Sequence, residues 1–337
     1  MKIEHDDVFI LSGVRNSITT GSPITLQIKN KDFENWGKIM DTEKCATEEY
    51  DILTTPRPGH ADLSGCLKYN HHDIRNVLER ASARETAIRT AVGAVSKILL
   101  SHFNVSFFSQ VIQIGNLKGK IGDINKENIT NKILNSDLRI FDKSFENKAR
   151  ELIDKIKNNG TSIGGIFEIY VNGIVPGIGS YSEYDRKIDA NLAASILSIQ
   201  GIKGVEFGVG FKYSEMIGQN AHDEIYWSKT KGFFRQTNNA GGIEGGITNG
   251  EMLVIRACVK PIATQQKPLN SIDVKTKKST KSFYERSDIC VVPAASVVGE
   301  AVVATVLANE YSIKFGSDTI SEMKINFNNY LKNLKKF

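Results

Sequence analysis

The chain has 337 residues, 40% hydrophobic and 24% charged, which supplies enough apolar chain for a large core and excludes a disordered polymer. Its 43 basic and 38 acidic residues leave a formal charge of +5, too mild for a nucleic-acid-binding surface but suited to a small anionic ligand. Cys45, Cys66, Cys258 and Cys290 show neither CxxC spacing nor clustering with histidine, so neither a metal site nor a disulfide framework is expected; without a signal-peptide pattern or a run read as a membrane span, the cytoplasm is the expected compartment.

In chain order, VFILSGV (residues 8–14) and PITLQIKN (residues 23–30) read as strands joined by a polar turn. A polar loop runs to about residue 53, and TTPRPGHADLSGCLKY (residues 54–69) reads as further loop from its prolines and glycines. DIRNVLERA suggests a short helix. SARETAIRTAVGAVSKILLSHF, opening at Ser82, is the strongest helix: Ala87, Ile88, Ala91, Val92, Val95, Ile98 and Leu99 recur at helical spacing, and Ser82 with Glu85 spells a capping box. FFSQVIQIG reads as a strand, ENKARELIDKIKNNG as a helix closed by Gly160, GGIFEIYVNGI as a strand, NLAASILSIQGI as a helix, and GVEFGVGF and EMLVIRACVKPI as strands. A long apolar helix follows in ASVVGEAVVATVLANEYSIKFG, then an amphipathic C-terminal helix. Strands and helices mix without regular βαβ alternation. The expected fold class is therefore α+β, layered rather than doubly wound, with a long C-terminal helical region, in a single domain spanning residues 1–337.

Several residues invite chemistry. Arg80 and Arg84 have no acidic residue three or four positions away. On one continuous helix they would repel; flanking a helix that begins at Ser82 they would surround free N–H groups. An anion relieves either arrangement, and pairing with distant carboxylates is the plain alternative. His60, with Arg57 and Asp62 close by in a turn-rich stretch, suits proton transfer near neutral pH, although loop histidines are often merely structural. NNAGGIEGGITNG matches no phosphate-loop or dinucleotide fingerprint; it reads either as a turn cluster or as backbone lying flat against a ligand. Arg286 and Asp288 precede the long apolar helix, and the Lys275–Lys281 stretch reads as a solvated loop.

Taken in order, PRPGHADLSGCLKY, ERASARETAIRTAVGAV, SIQGIKGVEFGVGF, NNAGGIEGGITNG, VKPIAT and ERSDICVVPAASVVGEAVVA resemble the chorismate synthase family over essentially the whole chain. The resemblance implies a 1,4-anti elimination of phosphate from 5-enolpyruvylshikimate 3-phosphate, giving chorismate, the last common step of the shikimate pathway to the aromatic amino acids. It implies a sandwich of helices and antiparallel-rich sheets, a requirement for reduced FMN without net redox change, and a homotetramer; the charge and hydropathy add the expectation of no nucleic-acid or membrane partner. Arg57, Arg84 and Arg286 match positions that hold the substrate. Arg80, Ala81, Ser82, Gln200, Gly201, Gly245, Lys260, Pro261, Ile262, Ala263, Thr264 and Arg286 match positions that lie on FMN. His60 matches the histidine that services reduced flavin, Asp288 matches the carboxylate that accepts a relayed proton, and Ser82 is counted with them as catalytic. The family also carries, upstream of the point matching Met1, a Gly-Glu-Ser-His-Gly histidine and an arginine-rich loop for substrate and for the NADPH that reduces the flavin. Neither is in this sequence, and the setting of His5 does not match. The expectation is a shortened member with an exposed sheet edge and weak or no turnover, the alternative being a non-catalytic form that binds FMN or an anion.

Overall fold

The computed structural model describes residues 6–37, 39–40, 42, 52–121 and 129–337. His5 and Cys45, and part of the polar loop expected before residue 53, lie outside the described residues. The chain divides into two compact units.

The first unit comprises Met1–Ala91, Asn159–Thr161 and Ala263–Ser287. Strand β1 (Val8–Ser12) pairs antiparallel with β2 (Thr25–Ile28), the two strands expected across a polar turn. Between them Val14–Arg15 and Ile18–Thr19 form a second, minimal hairpin whose turn places Asn16 and Ser17 at positive φ. All of β1 is exposed, including Phe9, Ile10 and Leu11.

The stretch expected to be loop is loop only in its first half. Helix α1 (Asp62–Tyr69) occupies the rest and ends at Asn70 in the left-handed region, φ 54°. Composition misled because Gly65, a helix-weakening residue in isolation, is required by packing. A Cβ on it would sit 2.5 Å from Val77 of the following helix α2 (Arg75–Arg80). Cys66, Ile74 and Val77, with Leu53 and Phe283 against them, make this unit's small apolar cluster. Helix α2 stops at Arg80. Ser82 then caps a 3-10 turn (Ala83–Glu85), its Oγ accepting from Arg84 N at 3.3 Å rather than from Glu85 N, and leads into α3 (Thr86–Ser101). Arg80 and Arg84 therefore do not share one helix.

The second unit comprises Val92–Asn158, Ser162–Ile262 and Asp288–Phe337. Its centre is a five-stranded antiparallel sheet. The strands are β3 (Ser106–Ile114), β4 (Leu117–Lys118), β5 (Gly165–Asn172), β6 (Ile202–Phe207) and β7 (Leu253–Val259), in the order β4-β3-β5-β7-β6. The other helices of the unit used below are α4 (Lys143–Asn158), α5 (Ile188–Leu197), α6 (Val292–Phe315) and α7 (Ile320–Lys336).

One sheet face is apolar: Phe167, Ile169, Val171, Leu253, Ile255, Ala257 and Val259 are buried and share a core with residues of α5 and α6. The other face carries a polar row that crosses four strands in register, Gln110 opposite Glu168, Glu168 opposite Arg256, and Arg256 opposite Glu206. Arg256 bonds both carboxylates, at 2.5 and 3.0 Å.

Helix α6 is long and apolar enough to cross a membrane, contrary to the sequence reading. It is apolar on all sides because it is the core helix of this unit, with about two thirds of its most apolar stretch buried. Glu300, 5% exposed in mid-helix, is held there by Lys97 at 2.5 Å, Arg139 at 2.5 Å and the Ser109 hydroxyl at 2.6 Å. Such a buried charge survives only because every partner is present.

Candidate active site

The turn that presents His60 is anchored at several points. Leu53 N donates to Asp73 and Leu53 O accepts from Ile74 N; Thr54 Oγ1 donates to Asp273 at 2.5 Å; the Ser271 hydroxyl donates to Pro56 O. Gly59, at φ 78°, reverses the chain, and His60 N returns to Arg57 O at 3.3 Å.

Beneath the turn lies Asp62, the first residue of α1 and fully buried. Its Oδ2 accepts from Arg57 Nε at 2.8 Å and from Arg57 N at 3.0 Å. Its Oδ1 accepts from Arg57 Nη2 at 3.1 Å and lies 2.5 Å from His60 Nδ1. Burial alone would push the Asp62 carboxyl up. The hydrogen bonds from His60 and Arg57 override it and hold the group well below the usual carboxylate range.

Arg57 is itself buried. Nη1 reaches Thr264 Oγ1 at 3.0 Å and Glu285 at 3.5 Å, Nη2 lies 3.0 Å from His60 Nδ1, and the guanidinium sits 4.9 Å from the centre of the Phe283 ring. Burial pushes the neighbouring Glu285 carboxyl up, against the pull of Arg57 and Arg75. A carboxylate 2.5 Å from Nδ1 requires the proton between them, so Nδ1–H donates to Asp62 and Nε2, with Arg57 Nη2 at 3.4 Å, is the ring nitrogen able to accept a proton. Only about a fifth of the His60 side chain is exposed.

In the same unit, Arg80 is exposed at the end of α2, and Ala81 and Ser82 form the break before α3. Arg84 Nη1 pairs with Asp6 at 2.7 Å and Nη2 donates to Lys29 O at 3.3 Å. It lines a cavity of about 310 Å³ together with Leu26, Ile28, Asn30 and Ile88. Arg286 is exposed, and Thr264 ties it to the cluster only through its neighbour Ser287, whose hydroxyl donates to Thr264 O.

The remaining candidates belong to the second unit, apart from Ala263, which follows Ile262 in the first. Gly201 and Lys260 are joined by Lys260 N donating to Gly201 O at 2.8 Å, and Gln200 precedes them. Burial, then the charge of Lys203, pushes the Lys260 ammonium down. Gly245 and Gly246 are the central residues of a two-residue hairpin turn, at φ 61° and 91°, which is why both are glycine. Nothing lies within 4 Å of the position a Cβ on Gly245 would take. Asp223 frames this loop, accepting from the Thr237 hydroxyl at 2.5 Å, Asn239 N at 2.8 Å and Ala240 N at 2.9 Å. Asp288 is exposed shortly before α6.

Three residues of the His60 cluster were not identified as functional from the sequence. Asp62 was visible as a near neighbour. Glu285 and Phe283 come from more than 200 residues away, and no local pattern connects them to His60.

A histidine with one ring nitrogen claimed by a buried carboxylate, set against a guanidinium group, is an arrangement for holding or moving a proton beside negative charge. Its chemistry suits acid–base work on an α+β scaffold. The chain belongs to the chorismate synthase family, which it matches over residues 1–311. It is 48% identical to chorismate synthase of Geotalea uraniireducens over all of this chain and 88% of that protein. It is 51% identical to that of Caldicellulosiruptor bescii over 96% of this chain and 85% of that one. A crystal structure of chorismate synthase superposes with a TM-score of 0.79 at 40% identity, over 98% of this chain and 86% of its own.

Proposed function

We propose that the chain eliminates phosphate from 5-enolpyruvylshikimate 3-phosphate to give chorismate, as a homotetrameric cytoplasmic enzyme that uses reduced FMN. The observation that carries this reading is the buried Asp62 holding both His60 and Arg57. In the reaction a ring C–H bond and the C–O bond to phosphate break, a second ring double bond forms, and phosphate leaves with its bonding pair.

The residues suit reduced FMN chemically. Like-charged Lys203 and Lys260 favour an anionic group near Gly201, and the open space over Gly245 admits a flat ring. Gln200, Gly201, Gly245 and Lys260 to Ile262 would hold it, with Arg80, Ala81, Ser82, Ala263 and Thr264 carrying the same expectation from the family pattern. When bound, the reduced flavin supplies electron density to the reacting ring.

His60 exchanges a proton through Nε2 while Asp62 fixes its tautomer. Asp288 accepts the proton lost from the substrate, and Ser82 orients the reacting groups. Arg84 and Arg286 hold carboxylate and phosphate by charge-assisted hydrogen bonds. The donors of Arg57 are largely taken by Asp62, Thr264 and Glu285, so it contributes its charge to substrate binding and its frame to His60.

Anaerobic incubation of the purified chain with photoreduced FMN and substrate should release phosphate and form chorismate in equal amounts. A second reading, binding of FMN and anion without turnover, is favoured by the engagement of Arg84 with Asp6 and Lys29. Saturable FMN binding with no phosphate released would establish it over the first.

A further inference from the structure

In the second unit, a cavity of about 270 Å³ is lined by Gly177, Gly179, Arg186, Glu310, Ile313 and Lys314. None of these residues has a part in the elimination. The Glu310 side chain faces the cavity although the residue is only 6% exposed, and it makes no hydrogen bond or ion pair with any described residue. Burial pushes its carboxyl up, with Arg186 pulling the other way. The residue is packed away from water except where its carboxylate opens onto the cavity, so a ligand there would supply the donor that no described residue gives it. Arg186, exposed in the 3-10 turn before α5, likewise has no side-chain partner among the described residues. Lys314, one helical turn beyond Glu310 on α6, holds its ammonium 4.0 Å from the centre of the Tyr330 ring instead of reaching back to Glu310. Tyr330 is fixed in turn by its hydroxyl donating to Pro176 O at 2.8 Å.

The charges select the ligand. A simple anion drawn by Arg186 and Lys314 would meet the Glu310 carboxylate. A simple cation drawn by Glu310 would meet two positive groups. A molecule carrying an ammonium and a carboxylate side by side satisfies all three, and the volume admits one small organic molecule. We propose that this cavity binds a free α-amino acid, its ammonium on Glu310 and its carboxylate on Arg186 and Lys314, with the side chain against Ile313.

The site is independent of the elimination reading, because it uses none of the same residues and is tested by binding alone. A panel of common L-amino acids at millimolar concentration, followed by melting temperature and then by calorimetry, should find at least one that stabilises the protein in proportion to concentration. Glu310→Gln and Arg186→Gln should each weaken that binding by about 10- to 100-fold, the loss expected for one charge-assisted hydrogen bond. Arg186 is exposed, so its variant keeps the test valid if the buried substitution perturbs folding. The matching des-amino acid and the decarboxylated amine should both bind worse than the amino acid. No stabilisation by any member of the panel, unchanged affinity in both variants, or a des-amino acid binding as well as its parent would each overturn the proposal.

Discussion

At the scale of single residues, Asp62 organises the candidate active site more than either residue it touches. It accepts four bonds from two side chains and one backbone N–H, and no water reaches it. Asp62→Asn should slow turnover on the order of 10²-fold by releasing the His60 tautomer. Nitrogen NMR of the ring would show Nδ1 no longer uniformly protonated, a change that mere loosening of the fold would not produce. The same substitution leaves buried Arg57 with only the more distant Glu285 carboxylate as counter-charge, so stability should fall by about 3 kcal/mol in urea unfolding.

The pH dependence has a definite sign. The folded-state pKa of Asp62 is depressed, so its stabilisation is fully present above the ordinary carboxylate range and is lost as pH falls through the folded value. Glu285 is raised, so its ionisation opposes folding at neutral pH and the penalty disappears in acid. Glu285→Gln should therefore raise the melting temperature at pH 7 and bring little gain at pH 4. Equal shifts at both pH values would show that the Glu285 charge is not the cause.

At the scale of elements, close approach explains choices that propensity does not. Gly93 lies within α3, where alanine would be favoured by about 1 kcal/mol. A Cβ there would stand 2.3 Å from Ala301 Cβ and 2.4 Å from Ala301 Cα on α6, and backbone cannot move aside as a flexible side chain can. Gly93→Ala should destabilise the protein by about 1–3 kcal/mol despite the better helix former. Denaturant titration showing a neutral or stabilising effect would contradict that crossing. Gly65 comes about as close to Val77 in the first unit, there against a stiff β-branched side chain rather than backbone, which accounts for a glycine inside α1.

At the scale of the whole molecule, the two units are unequal in what holds them. The second has an extended apolar core running through β5, β7, α5 and α6, closed by the aromatic cluster of Phe103, Tyr311, Phe315 and Phe327. The first has, among its described residues, one small apolar cluster of Cys66, Ile74 and Val77, and relies on ion pairs and turn anchoring. Hydrogen exchange should therefore show the amides of α1 and α2 opening well before those of β5, β7 and α6. Uniform protection across both units would mean that buried apolar area does not set the order of opening.

The sequence by itself determined most of the elements, because amphipathic period and strand alternation are local properties. The helices α3 to α7, the strands β1 to β3 and β5 to β7, and the antiparallel α+β class were legible in this way. So was the chorismate synthase family, from long motifs of specific residues. Only the tertiary structure decided that α6 is a core helix rather than a span, since hydropathy measures composition and not what surrounds it. It alone placed Glu285, Phe283 and Thr264 around Arg57, because contacts across more than 200 residues leave no periodic trace. It also turned Arg57 from an isolated cation into a bonded frame for His60. Chain chemistry can propose which residues react, but burial and hydrogen-bond geometry decide which of their atoms are still free to do so.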